Sequence, residues 1–319
     1  MQQPNPRRPV LKSTRTVRRA IAILLGLGIL STPAAFAQGG ETTGTLKKIK
    51  DNNLIVIGYR ESSVPWSYIG ANQEVVGYSY EVALRLVDAI KRELKLPDLQ
   101  VRKIPITAQN RIPLMQNGTI DLECNATTNT AERRKQVAFS YTIALTQTQL
   151  LTRKDSGVRE IEDLEGKSVV VTAGSTSERY LRRFVQDHKM NVTIVSARDH
   201  SQSFVMLQSG RVAAFFMDRD VLGALLAKAR DSADYVVTGR PQTKEALACM
   251  FRKDDPQFKA FVDREIAAFE TSGAAEKLYH RWFQQPIPPD GVVLNTPLSP
   301  EMKALFAKPN DESYDDAPK

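Results

Sequence analysis

The stretch TTNTAERRK, Thr127 to Lys135, follows the apolar run IDLEC and sets hydroxyl and amide side chains directly before the cations Arg133, Arg134 and Lys135. Asn129 with Glu132 three residues later has capping-box spacing, which predicts a helix starting near Thr130 just after a strand ends. The first N–H groups of such a helix have no partner within it, and their dipoles favour negative charge. In parallel sheets, ligands bind where strands end and helices begin. Arg133, in the first turn, adds a guanidinium able to grip a carboxylate with two hydrogen bonds. The chemistry offered is capture of a small carboxylate. The alternative is a well-capped surface helix, and these nine residues leave both open.

The elements that must position this stretch alternate. TLKKIKDN reads as a helix and LIVIGY as a strand. YEVALRLVDAIKREL is an amphipathic helix, with Val82, Leu86 and Ile90 recurring every four residues. QVRKIPI is a strand, NRIPLMQNG a helix closed by Gly118, and TIDLECN a strand. After the long extended segment YTIALTQTQLLTRKD comes a second series. Its strands are KSVVVTA, VTIVSA and RVAAFFMD, and its helices are SERYLRRFVQDH, DHSQSFVMLQSG and one around VLGALLAKAR. EALACMFRKDD is extended again and leads into the helices DPQFKAFVDREIAAFE and SGAAEKLYHRWF. Alternating strands and helices imply mostly parallel sheets. Two extended segments flanking the second series imply that the chain crosses between two lobes twice, which makes a hinge. The expected lobes are residues 38–146 with 247–319, and 147–246. A short helix is expected from Pro300, capped by Ser299, and the acidic end NDESYDDAPK is expected to be unstructured.

The net charge of +8 is unevenly placed. Arg7, Arg8, Lys12, Arg15, Arg18 and Arg19 precede the apolar run AIAILLGLGIL and the small-residue sequence AFA, the three-part pattern of a secretory signal cleaved after Ala37. Removing residues 1–37 leaves 38 basic and 36 acidic residues, so the basic balance belongs to the export signal and does not argue for nucleic acid. RRPVLK also resembles a twin-arginine motif, but its distance from the apolar run favours the general secretory route. A periplasmic protein follows. In that oxidising compartment the two cysteines, Cys124 and Cys249, read as a disulfide near the hinge, with two buried thiols as the alternative. With three histidines and none at ligand spacing from a cysteine, no metal site is expected.

GYRESSVPWSY, PITAQNRIPLMQNGTIDLEC, TTNTAERRKQVAFS, SVVVTAGSTSE, VSARDHSQSF, CMFRKDDPQF and QQPIPPDG closely resemble, in order, the glutamate/aspartate-binding periplasmic proteins of ATP-driven amino-acid importers. The resemblance runs from about residue 45 to about 308. It implies an α/β, type II periplasmic binding protein fold: two lobes, each a mostly parallel sheet flanked by helices, joined by two hinge crossovers and closing around a ligand. It also implies delivery of an acidic amino acid to an inner-membrane ABC permease, by a monomer without cofactor or catalysis. Arg133 and Thr128 would hold the α-carboxylate, Asp218 would receive the α-ammonium, and Thr176 lies in the facing loop. Arg60, Arg111 and His200 would surround the side-chain carboxylate. If His200 donates as an imidazolium, affinity for glutamate should rise below about pH 6.5.

Each assignment has a plainer reading. Arg60 could form a surface pair with Glu61, Arg111 could be solvated, His200 could neighbour a cap, Asp218 could be a turn acid, and Thr176 could cap the helix beginning near Ser177. Ala108 and Ala126 stand where the family carries small hydroxyl residues, which leaves the preference between glutamate and aspartate open. Two competing functions remain. One is a cyclohexadienyl dehydratase-like enzyme of the same fold, with Glu61 or Glu123 as its acid. The other is a sensor domain, which needs a further membrane span that no segment after Leu30 supplies.

Overall fold

The computed structural model describes residues 41–314, of which residues 42–314 form one compact unit. The expected export signal lies outside the described residues, as do residues 315–319 of the acidic end. Helix α1 (Gly44–Asn52) leads into strand β1 (Leu54–Tyr59). β2 (Ser62–Ser63), β3 (Ser67–Ile69) and β4 (Val75–Val76) form a small antiparallel sheet, absent from the sequence reading. There follow α2 (Tyr78–Leu94), β5 (Gln100–Pro105), α3 (Arg111–Gln116), β6 (Leu122–Thr128), α4 (Ala131–Arg134) and the long β7 (Val137–Arg153). The second series is β8 (Ser168–Thr172), α5 (Thr176–Asp187), β9 (Thr193–Ala197), α6 (His200–Gln208), β10 (Ala214–Asp218), α7 (Arg219–Lys228) and β11 (Tyr235–Thr238). β12 (Lys244–Arg252) returns to the first series, followed by α8 (Pro256–Thr271), α9 (Ala274–Phe283) and α10 (Pro300–Ala307).

The strand order is β5-β1-β6-β12-β7-β10-β8-β9, with β11 also paired to β7. β1 lies parallel between β5 and β6, and β8 parallel between β10 and β9. β12 and β7 run antiparallel to their neighbours. β7 changes partner along its length: Val137 to Gln147 face β12, and Thr148 to Thr152 face β10. The central strands are buried on both faces, as β6 and β10 are at every position, whereas the edge strands β5 and β9 are more exposed. On α2, Val82, Leu86 and Ile90 point into this core as their spacing predicts.

Two boundaries differ from the sequence reading. β6 extends through Thr127 and Thr128, since Thr128 still pairs with Leu247 and the Asn129 amide donates to the Ala246 carbonyl. The cap of α4 is therefore Thr130, whose hydroxyl accepts from the Arg133 amide at 3.1 Å, one position after the expected Asn129–Glu132 pair. The acidic end is also held in its described part. The Asn310 carbonyl accepts from the Thr142 amide at 2.8 Å, and the Asp311 carbonyl accepts from Asn129 Nδ2 at 3.0 Å and from Arg134 Nη2. The Asp311 carboxylate meets Lys259 Nζ at 3.0 Å, and Lys244 sits over the Tyr314 ring. Polar anchors hold a segment that its composition alone left free.

Cys124 and Cys249 are disulfide-bonded, Cα atoms 4.2 Å apart, where β6 and β12 pair in register. The bond closes a loop of 125 positions. Loss of the crosslink in a Cys124→Ala, Cys249→Ala chain is expected to cost about 3 to 5 kcal/mol through the entropy regained by the unfolded chain. Denaturant unfolding checks this, and an unchanged midpoint would contradict it.

Candidate functional site

The seven residues singled out in the sequence lie at strand ends and helix starts, and all are buried. Arg60 follows β1, its backbone fixed by Ser67 Oγ, which accepts from the Arg60 amide at 3.1 Å and donates back to its carbonyl. The side chain is 2% exposed, so the surface pair with Glu61 fails, and Nη2 has no partner among the described residues. Burial, then the neighbouring Arg111, lower its pKa to about 10. Arg111 opens α3 and is equally buried, which overturns the solvated reading. Its Nη1 donates to Thr127 Oγ1 at 2.6 Å and to the Ala126 carbonyl at 3.3 Å, while Nε is unpartnered.

Arg133 lies across from these. Its Nη1 donates to the Thr128 carbonyl at 2.9 Å and its Nη2 to the Gly174 carbonyl at 3.2 Å. Burial, then Arg111, lower its pKa to about 9. Thr128 Oγ1 is 3.4 Å from Thr176 Oγ1. Thr176 is the first residue of α5 and does not cap it; Ser175 does, accepting from the Glu178 amide. Gly174 has φ +78° and lies against Gln109, where a Cβ would approach the Gln109 Cα to 2.7 Å. Only glycine lets the two loops meet this closely. Outside them, Glu132 on α4 pairs with Arg179 on α5 at 2.5 Å.

Asp218 ends β10, with Oδ1 buried and unpartnered. Burial, then Glu245 and Asp220, push its pKa well up, against the pull of Arg133 and Arg111. His200 opens α6, with Asp199 as the actual cap. Its Nδ1 lies 2.8 Å from Thr172 Oγ1, and Nε2 is buried without a partner. Burial, then Arg60 and Arg111, hold its pKa well below the usual histidine value. With Nε2 unpartnered and the two arginines nearby, the neutral form of the ring is favoured in the absence of a ligand.

Two further buried acids belong to this region: Glu123, considered in the sequence only as an enzyme's acid, and Glu245, which sequence reasoning missed. Both are buried inside strands, each with an unpartnered Oε2. Glu123 Oε1 accepts from Thr127 Oγ1 at 2.6 Å and Asn125 Nδ2 at 2.9 Å, and Glu245 Oε1 accepts from Thr243 Oγ1 at 2.7 Å. The available signal was a lone carboxylate inside a strand buried on both faces, where charge is rarely tolerated without a partner. Glu61, the other acid named for an enzyme, is exposed.

Strands β7 and β12 link two strand groups whose facing loops enclose buried, partly unpartnered charge of both signs; that is the build of a receptor for a small zwitterion. Residues 55–285 match the model of the bacterial extracellular solute-binding proteins, family 3, and the chain belongs to that family. Its fold is the two-lobed type II binding-protein fold.

It is 50% identical, over 92% of this chain and 96% of the relative, to the glutamate/aspartate import solute-binding protein of Escherichia coli (strain K12). It is 48% identical, over 89% and 94%, to the L-glutamate/L-aspartate-binding protein of Pseudomonas aeruginosa. Among solved structures, a mutant of ArgBP from T. maritima superposes with a TM-score of 0.67 at 24% identity, covering 75% of this chain and 99% of that one. An ancestral amino acid-binding protein described as a precursor of cyclohexadienyl dehydratase gives 0.66 at 28% identity, covering 76% and 100%. The curated relatives are solute-binding proteins. Among the described residues no helix is long and apolar enough to cross a membrane.

Thr127 connects the two charged sides of this network, accepting from Arg111 and donating to Glu123. Thr127→Val should strip both groups of a buried partner and destabilise the protein by about 1 to 3 kcal/mol. Chemical denaturation without ligand measures it, and a shift under half a kcal/mol, about the noise of surface substitutions, would count against the network.

Proposed function

We propose that this protein is a periplasmic receptor that captures L-glutamate or L-aspartate between its lobes and hands it to an inner-membrane ABC permease, acting as a monomer without cofactor or catalysis. The observation that carries the reading is the set of buried, unpartnered atoms on Arg60, Arg111 and Asp218, with Arg133 beside them. A buried charge needs a partner. A ligand with two carboxylates and one ammonium supplies complementary groups to both kinds at once. Relatives of about 50% identity named for glutamate and aspartate support the same ligand class.

In this reading Arg133 and Thr128, with Thr176 facing them, hold the α-carboxylate, and Asp218 takes the ammonium. Arg60, Arg111 and His200 hold the side-chain carboxylate. The lobes comprise residues 38–146 with 247–319, and 147–246, and turn about β7 and β12. The change of partner on β7 after Gln147 supports that division. Residues 1–37 serve as the cleaved export signal. Ala108 and Ala126 offer no side-chain hydroxyl, so the choice between the two acids rests on backbone groups and the arginines.

Two substitutions separate the ends of the ligand. Losing one partner of a buried charge pair costs about 2 to 5 kcal/mol, roughly 30- to 4,000-fold in affinity. Arg133→Ala should weaken glutamate, aspartate, glutamine and asparagine alike. Arg60→Met keeps the bulk of the stem and should penalise glutamate far more than glutamine. Calorimetric titration decides, and equal losses for glutamate and glutamine in Arg60→Met would overturn the assignment.

A further inference from the structure

The hydrogen bonds around His200 run in one direction only. The Asp199 carbonyl can only accept, so Ser203 Oγ commits its proton there, at 2.9 Å. Ser203 Oγ must then accept from Thr172 Oγ1 at 3.2 Å, and Thr172 Oγ1 must accept from His200 Nδ1 at 2.8 Å. The network thus assigns the neutral ring its proton at Nδ1 and leaves a lone pair at Nε2. That lone pair is buried and unpartnered. It belongs to the group that would meet the ligand's side chain.

No donor from the elements packed against α6 reaches Nε2. β8 and β9 carry no charged residue. β10 brings Asp218, α7 brings Asp220 together with Arg219 and Lys228, and β2 brings the hydroxyls of Ser62 and Ser63; the two aspartates are acceptors when ionised. Arg60 precedes β2, whose neighbour Glu61 is exposed; Arg111 comes from α3, and Asp199 lies in the turn before α6. The two arginines disfavour a second proton on the ring until a negative charge offsets them.

Resting on the receptor reading above, we infer that a side-chain carboxylate enters this site together with one proton, which His200 Nε2 takes from solvent, whereas a side-chain amide enters without one. A carboxylate has only lone pairs to set against Nε2, and the two repel. An amide offers N–H and satisfies Nε2 directly. With the carboxylate present, one N–H bond forms at Nε2 as a water or buffer acid gives up its proton. The product is an imidazolium–carboxylate pair beside the two arginines. The proton stays on nitrogen because the two arginines hold the carboxylate in its ionised form, and the carboxylate's charge in turn offsets their effect on the ring. Affinity for glutamate should therefore fall about tenfold per pH unit between the ring's pKa values in the free and bound protein, while affinity for glutamine stays flat over that interval.

Nitrogen NMR of protein labelled at its three histidines tests the inference at about pH 6.5, near the ordinary histidine value. His200 is assigned by its loss in His200→Asn. Without ligand it should show the Nδ1-protonated neutral form. Saturating glutamate should convert both nitrogens to the protonated form, and glutamine should not. Calorimetry in buffers of different ionisation enthalpy gives a second reading that needs no variant. Uptake should be close to one proton more for glutamate than for glutamine, a difference in which any contribution from Asp218 cancels. No heat with glutamate in any buffer would overturn the receptor reading and this one with it. Glutamate binding with less than half a proton of excess uptake, or a ring that stays neutral, would overturn this inference alone.

Discussion

Three guanidinium groups are buried in one cleft with Glu123, Asp218 and Glu245 around them, and no salt bridge among the described residues joins the two sets. Instead, carbonyls and hydroxyls take up some of the hydrogen-bonding capacity: Thr128 and Gly174 on Arg133, and Thr127 and Ala126 on Arg111. Arg60 Nη2, Arg111 Nε, Glu123 Oε2, Asp218 Oδ1 and Glu245 Oε2 are left without a partner among the described residues. Burying charge this way is costly, because desolvation is not repaid by close Coulombic contact. In the proposed reading a ligand of alternating charge lowers that cost, so the groups that are costly to bury would give the ligand its hold.

The fold supplies this arrangement through a few strands and turns. β1, β6 and β10 deliver Arg60, Thr128 and Asp218 at their carboxyl ends, and α3, α5 and α6 begin with Arg111, Thr176 and His200. Thr130 caps α4 and so places Arg133 one position inside it. The Asp311 carbonyl then ties Asn129 to Arg134 from outside, so the C-terminal segment braces the loop that carries Arg133. β7 and β12 lie between the two strand groups in the sheet, where Thr148 on β7, Thr243 just before β12 and Glu245 on β12 form one hydrogen-bonded row.

Much of this was legible in the sequence because it rests on local rules. Val82, Leu86 and Ile90 fixed the face of α2, and Ser299 marked the start of α10. The strand-end and helix-start positions of the site residues followed from the same alternation, although their ligand roles came from the family resemblance. What escaped depended on contacts far apart in the chain. Thr128 joins β6 because Leu247 pairs with it, a partner 119 positions away that no local cap signal encodes. Asn310 and Asp311 are ordered by Thr142, Arg134 and Lys259, although their composition reads as free chain. Glu245 stayed hidden, and Glu123 was read only as a possible enzyme acid, because burial on both faces of a strand is a property of the packed sheet. The state of His200 needed the Thr172–Ser203–Asp199 relay, which sequence spacing does not reveal.

That each buried charge set answers one charged group of the ligand is the proposal on which the receptor reading stands. Its most direct test is a calorimetric series against the unaltered protein, freed of ligand by unfolding and refolding, with glutamate, glutarate, glutamine and 4-aminobutyrate. Glutarate lacks the ammonium, glutamine the side-chain carboxylate and 4-aminobutyrate the α-carboxylate. Each deletion leaves one buried charge unanswered and is expected to weaken binding by at least about 30-fold relative to glutamate, the low end for a truncated buried pair. Glutarate or 4-aminobutyrate binding as tightly as glutamate would contradict the claim, since the charge set facing the deleted group would then have no part in holding the ligand.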